Sequence, residues 1–143
     1  MLIKSVVSSL LTALLLAAPA YAAPDLTAPE ALAAAQAGKV KLIDIRTQRE
    51  WRETGIAPGA GRVDMYQGAA AFAKGIEAAT GGDKNAPIAL ICRTGNRTTQ
   101  VQRYLQSQGF TQVYNVKEGM AGSGAGPGWL KRGLPVETCT TQC

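Results

Sequence analysis

The run Pro87-Ile-Ala-Leu-Ile-Cys92 constrains this chain more than any other stretch. It has no polar side chain before its closing thiol, and the glycines Gly81 and Gly82 precede it while Gly95 follows. A run this short, apolar throughout and rich in isoleucine reads as a strand covered on both faces. Such strands belong to parallel sheets, whose crossover connections lay helices over the sheet. The rest of the chain must therefore supply helices between strands.

The patterning meets that demand. Asp25-Leu26 is read as a short first strand, and Thr27-Ala-Pro-Glu30 is a capping box opening a helix over Ala28–Ala37 that Gly38 ends. Val40–Ile45 is a β-rich run. Thr47-Gln-Arg-Glu50 is a second capping box, opening a helix through Thr54 that Gly55 stops. A turn and a short strand ending near Val63 follow, then a helical stretch over Gln67–Thr80, interrupted by Gly75. After the Pro87–Cys92 strand, Asn96–Gln108 is helical with Val101, Tyr104 and Leu105 on one face. Thr111–Val116 is a strand, Gly119–Gly128 a glycine-rich loop, Trp129–Arg132 a helical turn, and Leu134–Glu137 a closing extended piece. Alternating strands and helices predict an α/β domain with a mainly parallel central sheet flanked by helices.

The 143 residues suit one domain, here read as 23–138. Before it, Lys4 precedes an uncharged apolar stretch from Ser5 to Ala18, and Ala20-Tyr21-Ala22 is a small-x-small cleavage site. That order is a signal peptide over 1–22, which predicts an exported protein, periplasmic or secreted, with no membrane association after cleavage. An uncleaved anchor would need the about 20 uncharged residues up to Pro24 to span a bilayer; Pro19 and the cleavage site fit removal better. The net charge of +5 is dispersed, without a basic run, so nucleic acid is not an expected partner. Nothing in the sequence specifies an oligomeric state.

There is no histidine. Its absence removes Ser-His-Asp and Cys-His catalysis in their usual forms, and three cysteines alone rarely build a zinc site. No metal and no cofactor are expected. Of Cys92, Cys139 and Cys143, the last two lie four apart in a 139–143 tail, where pairing with each other leaves Cys92 as the odd thiol of an exported chain.

Cys92 ends the apolar strand, and in an open α/β sheet functional groups gather beyond the carboxyl ends of strands. The loop Arg93-Thr94-Gly95-Asn96-Arg97-Thr98 turns at once into a helix. Gly95 can take a positive φ, and the amides of Arg93 to Thr98 are expected to converge as an anion-binding nest at the helix N-terminus. A cysteine at the base of that nest is expected to stand largely as the thiolate. Arg93 and Arg97 add positive field and suit an anionic substrate. Without these neighbours, a strand-end cysteine would suit an inert buried position equally well.

In these motifs the chain resembles the rhodanese-like sulfurtransferase family. The residues are Asp44-Ile45-Arg46, Glu50-Trp51, the turn Gly55-Ile56-Ala57-Pro58-Gly59-Ala60, the loop Cys92-Arg93-Thr94-Gly95-Asn96-Arg97, Gly109-Phe110, Val113 to Met120 and Gly133 to Val136. Ile56 stands where the family turn usually has histidine, and the Cys139/Cys143 tail lies outside the general pattern. The resemblance implies a single rhodanese-like domain and a persulfide on Cys92, charged by a small anionic sulfur donor such as thiosulfate and discharged by cyanide or a thiol. It also implies that Asp44 and Arg46 support the site, with fixing the fold as the alternative. Trp51 and Trp129 read as packing residues.

Two other chemistries share a cysteine loop. Phosphatases and arsenate reductases of related fold place five residues between Cys and Arg, whereas Cys92 and Arg97 are separated by four. A thiol redox reading would have Cys139 or Cys143 resolve an oxidised Cys92.

Overall fold

Local capping sets the register of the first two helices. Thr27 and Thr47 each accept a hydrogen bond from the amide three residues on, and Glu30 and Glu50 bond back to the cap residue's own amide. Helices α1 (Ala28–Gln36) and α2 (Gln48–Thr54) follow from these boxes. Helix α3 spans Ala69–Thr80 and α4 spans Asn96–Ser107. The strands are β1 (Lys41–Asp44), β2 (Gly61–Arg62), β3 (Ile88–Ile91) and β4 (Val113–Asn115). The computed structural model describes residues 23–140 and 143; the predicted signal peptide lies outside the described residues.

The four strands form one all-parallel sheet in the order β2-β1-β3-β4. The apolar run that ends in Cys92 is thus a central strand, fully buried from Ile88 to Ile91. Alternate residues feed two cores, as the pleat requires. On one face Ile43, Ile45, Ile88, Leu90 and Cys92 pack with Phe72 and Ile76 of α3 and Val101 and Leu105 of α4. On the other, Leu42, Ala89 and Ile91 pack with Ala28 and Ala31 of α1 and with Met120 and Trp129. Trp129 is fully buried and its indole N–H donates to the Pro135 carbonyl.

Four expectations change. Asp25-Leu26 forms no strand; Leu26 makes a single backbone bond to the Asn115 carbonyl, too little pairing for a ladder. Helix α3 starts at Ala69 and not at Gln67, because Gly68 at its N-cap has φ +95° and ψ 154°, outside helical geometry. Gly75 does not interrupt that helix: a Cβ there would stand 2.5 Å from a Val63 methyl, so the glycine lets the helix press onto the sheet. Tyr104 leaves the buried stripe of α4, which is Thr98, Val101 and Leu105; the tyrosine lies on the stripe's outer margin and is 46% exposed.

The C-terminal segment returns to the sheet's β2 side. Ile56 and Glu137 pair antiparallel through both of their backbone groups, and Cys139 and Cys143 are joined by a disulfide. No helix among the described residues is long and apolar enough to cross a membrane.

Candidate functional site

β3 ends at Ile91, and Cys92 is the first residue of the loop that closes into α4. Gly95 is the N-cap of that helix, with φ +87° and ψ −8°. This left-handed conformation strains any residue with a Cβ. A side chain there would also collide with the Lys117 carbonyl, and one at Gly119 would collide with the Arg93 carbonyl. The backbone from Lys117 to Gly119 therefore lies directly on the cysteine loop. Met120 and Ala121 fasten it there by donating to the carbonyls of Cys92 and Arg93, both at 2.9 Å.

Inside the loop, the Gly95 N–H donates to Cys92 Sγ at 3.2 Å. Thr98 Oγ1 lies 3.5 Å from the same sulfur and 3.0 Å from the Gly95 carbonyl, to which it donates. The Gly95 N–H aimed at the sulfur favours negative charge on it, as a donor aimed at an oxyanion does. Of the expected amide donors, Gly95 is the one bonded to the sulfur among the described residues. The amides that open α4 have no intrahelical acceptor, since no preceding turn exists. Cys92 is a free thiol and has no exposed surface.

The two arginines part company. Arg97 forms a bidentate pair with Glu50 of α2, Nη1 to Oε2 at 2.8 Å and Nη2 to Oε1 at 2.6 Å. The Arg97 guanidinium holds the Glu50 carboxyl down at about 2, and Glu50 in turn raises Arg97 further above its ordinary value. The Tyr66 ring lies 6.0 Å from the same guanidinium. Arg97, expected to grip an anionic substrate, has its fork filled by a carboxylate instead. Arg93 is exposed at the loop's outer side and makes no ion pair among the described residues. Thr94 is half-buried and Asn96 is exposed.

Asp44 and Arg46 form a buried pair, with Nη2 to Oδ2 at 2.7 Å. Asp44 lies beside Ile91 in the parallel ladder, one residue before Cys92 on the neighbouring strand. Arg46 also donates to Thr54 Oγ1 at 2.7 Å and to the Gly55 carbonyl at 2.9 Å. The pair thus fastens the C-terminal end of α2 to β1, and no hydrogen bond joins it to the Cys92 loop among the described residues. Its link to the site is indirect: it fixes the helix whose Glu50 fixes Arg97. That Glu50–Arg97 contact escaped the sequence reading, because Glu50 was already accounted for by its capping box. Its carboxylate does both tasks: Oε2 accepts from the Thr47 amide at 3.1 Å while both oxygens meet Arg97.

Known proteins place this geometry in context. A family model for the rhodanese-like domain matches residues 27–124. An uncharacterized protein of Rickettsia rickettsii, the RP600 homolog, is 26% identical over 98 residues, 66% of this chain and 80% of its own. The thiosulfate sulfurtransferase GlpE of Actinobacillus pleuropneumoniae serotype 3 (strain JL03) is 38% identical over 56 residues, 39% of this chain and 46% of GlpE. The solved homodimeric polysulfide-sulfur transferase of Wolinella succinogenes shares the fold with a TM-score of 0.64 at 22% identity, covering 84% of this chain and 82% of that one. With the matched segment running from the α1 cap through the cysteine loop to the glycine-rich turn, the chain belongs to the rhodanese-like domain family.

Proposed function

We propose that the protein is a sulfurtransferase that carries a sulfane sulfur on Cys92. The observation that carries this reading is the placement of Cys92 Sγ at the base of the loop, with the Gly95 N–H at 3.2 Å and Thr98 Oγ1 at 3.5 Å. A thiolate held there attacks the outer sulfur of thiosulfate or another sulfane donor. The donor's S–S bond breaks, its electron pair leaves with sulfite, and Cys92 holds a persulfide. A thiolate or cyanide then attacks the terminal sulfur and releases the Cys92 thiolate, a double displacement through a covalent intermediate. Sulfite is a good leaving group and sulfur a soft nucleophile, so neither step needs a histidine.

The loop's remaining features fit this chemistry. The opening amides of α4 and the exposed Arg93 suit an anionic donor. Cys92 has no exposed surface, so a small donor suits the site. Two relatives are named for sulfane-sulfur transfer, from thiosulfate in one case and polysulfide in the other. The phosphatase reading gains nothing from the structure, since the Arg97 fork is occupied by Glu50. The redox reading through Cys92 gains nothing either: Cys139 and Cys143 bond to each other and Cys92 is free.

The test is direct. Purified protein, reduced and freed of reductant, is expected to gain the mass of one sulfur on incubation with thiosulfate and to turn over thiosulfate with cyanide; Cys92→Ala should do neither. Absence of both in the wild-type protein overturns the proposal. We also place the mature protein outside the cytosol, supported by the order of Lys4, the apolar stretch and Ala20-Tyr21-Ala22. A mature N-terminus at Ala23 in the periplasmic or secreted fraction is the expected finding, and a cytosolic chain retaining Met1 would refute it.

A further inference from the structure

Sulfur transfer on Cys92 makes no use of the tail disulfide, which sits in a built environment of its own. The Ile56–Glu137 pairing brings the tail alongside Gly55–Ile56, and Cys139, two residues on, packs between Trp51 and Ile56 with 6% of its surface exposed. Cys143 is only half-buried. It lines a cavity of about 260 Å³ together with Gln48, Trp51, Arg62, Asp64 and Gln67. Arg62 Nη1 donates to Cys139 Sγ at 3.4 Å. The indole N–H of Trp51, on the same cavity, is buried with no hydrogen-bond partner among the described residues.

The two sulfurs are therefore chemically unlike. Thiol–disulfide exchange is governed by which sulfur a thiolate can reach and by how well the other sulfur bears negative charge as it leaves. Cys143 faces a polar cavity and can be reached. Cys139 is covered, and a guanidinium beside it stabilises a leaving thiolate. A bond serving only as a staple has no use for this asymmetry, and one closing a loop between residues four apart removes little chain entropy.

We propose that Cys139–Cys143 is a second reactive site, a disulfide that exchanges with a small polar thiol bound in this cavity. The thiolate attacks Cys143 Sγ and forms a mixed disulfide. The Cys139–Cys143 bond breaks, and its electron pair stays on Cys139 as a thiolate beside Arg62. A second thiolate attacks the small-molecule sulfur of the mixed disulfide, releasing the low-molecular-weight disulfide and the Cys143 thiolate. Two thiols are oxidised by two electrons, and the protein disulfide becomes a dithiol that takes up their two protons. A small disulfide drives the same steps in reverse. Arg62, Asp64 and the two glutamines suit a zwitterionic thiol of the size of free cysteine. The site is independent of Cys92, so its failure and the failure of sulfur transfer are separately visible.

The experiment incubates the oxidised wild-type chain with free cysteine at neutral pH, quenches with acid, alkylates, and maps each sulfur by peptide mass spectrometry. Opening of the disulfide is expected, with the added cysteine on Cys143 at least about tenfold more often than on Cys139. Arg62→Met, at an exposed position of the edge strand β2, should slow opening about tenfold, and Arg62→Lys should recover part of that loss. A disulfide that stays closed in millimolar cysteine, or a mixed disulfide shared equally between the two sulfurs, overturns the proposal in the wild-type chain alone. An unchanged rate in a folded Arg62→Met variant overturns the role of the guanidinium.

Discussion

A Cβ at position 95 would run into the Lys117 carbonyl, and the residue's φ of +87° is one that side chains seldom adopt. Both obstacles act on the amide that donates to Cys92 Sγ. Gly95→Ala should therefore do more than strain the chain. We expect a loss of about 3 kcal/mol of stability, the range for forced left-handed backbone combined with a backbone clash. We also expect persulfide formation to fall at least about tenfold in protein that remains folded, because the donor amide cannot keep its place. Urea unfolding measures the first and mass gain from thiosulfate the second. Wild-type stability in the variant would contradict the close packing of Lys117 on the loop. At this scale the sequence was readable for the glycine and silent on its neighbour: nothing local to "CRTGNR" announces a carbonyl 22 positions downstream.

At the scale of elements, the Glu50–Arg97 pair ties α2 to α4 across 47 positions of chain. Glu50 is held at about 2, chiefly by the Arg97 hydrogen bonds, against an ordinary value of 4.5. The sign follows from proton binding. Between these two values the unfolded chain binds a proton that the folded protein does not, so stability falls as pH drops from about 4.5 toward 2. Above that window the contribution is fully present. Glu50→Gln should flatten this part of the stability–pH curve, and a variant with the wild-type acid slope would show that the pair is not coupled to folding. Both capping boxes were legible because capping is written within four residues. The pairing of α2 with α4 was not, since a glutamate that satisfies its own helix start shows no sign of a distant partner. Tyr104 escaped for a related reason: an aromatic residue next to an apolar stripe looks buried until the crossing of neighbouring elements is known. The Asp25-Leu26 strand failed because Leu26 makes one backbone bond to the Asn115 carbonyl and no further bond extends the pairing into a ladder.

For the molecule as a whole, the parallel sheet followed from one apolar run and the alternation around it, whereas the charge balance at the site depended on the folded geometry. Two arginines in the loop suggested a doubly positive cradle. Folding neutralises Arg97 with Glu50 and leaves Arg93 as the exposed cation of the loop, while Lys117 nearby lies 3.4 Å from Asp25. On the proposed function, capture of an anionic donor rests on three sources: the amides that open α4, Arg93, and the field of a chain whose formal net charge is +5, or +4 once Lys4 is removed. These respond differently to salt. Amide contacts are short-ranged and persist, whereas the field of exposed charges is screened over roughly 10 Å at about 0.1 M. The second-order rate of persulfide formation from thiosulfate should therefore fall roughly threefold to tenfold between about 10 mM and about 300 mM salt. Arg93→Gln should lower the low-salt rate and flatten the dependence, without changing stability, since the side chain is exposed. If the wild-type rate is independent of salt, capture belongs to the amides alone. If Arg93→Gln retains the full salt slope, the steering charge lies elsewhere on the surface and Arg93 has no part in donor binding.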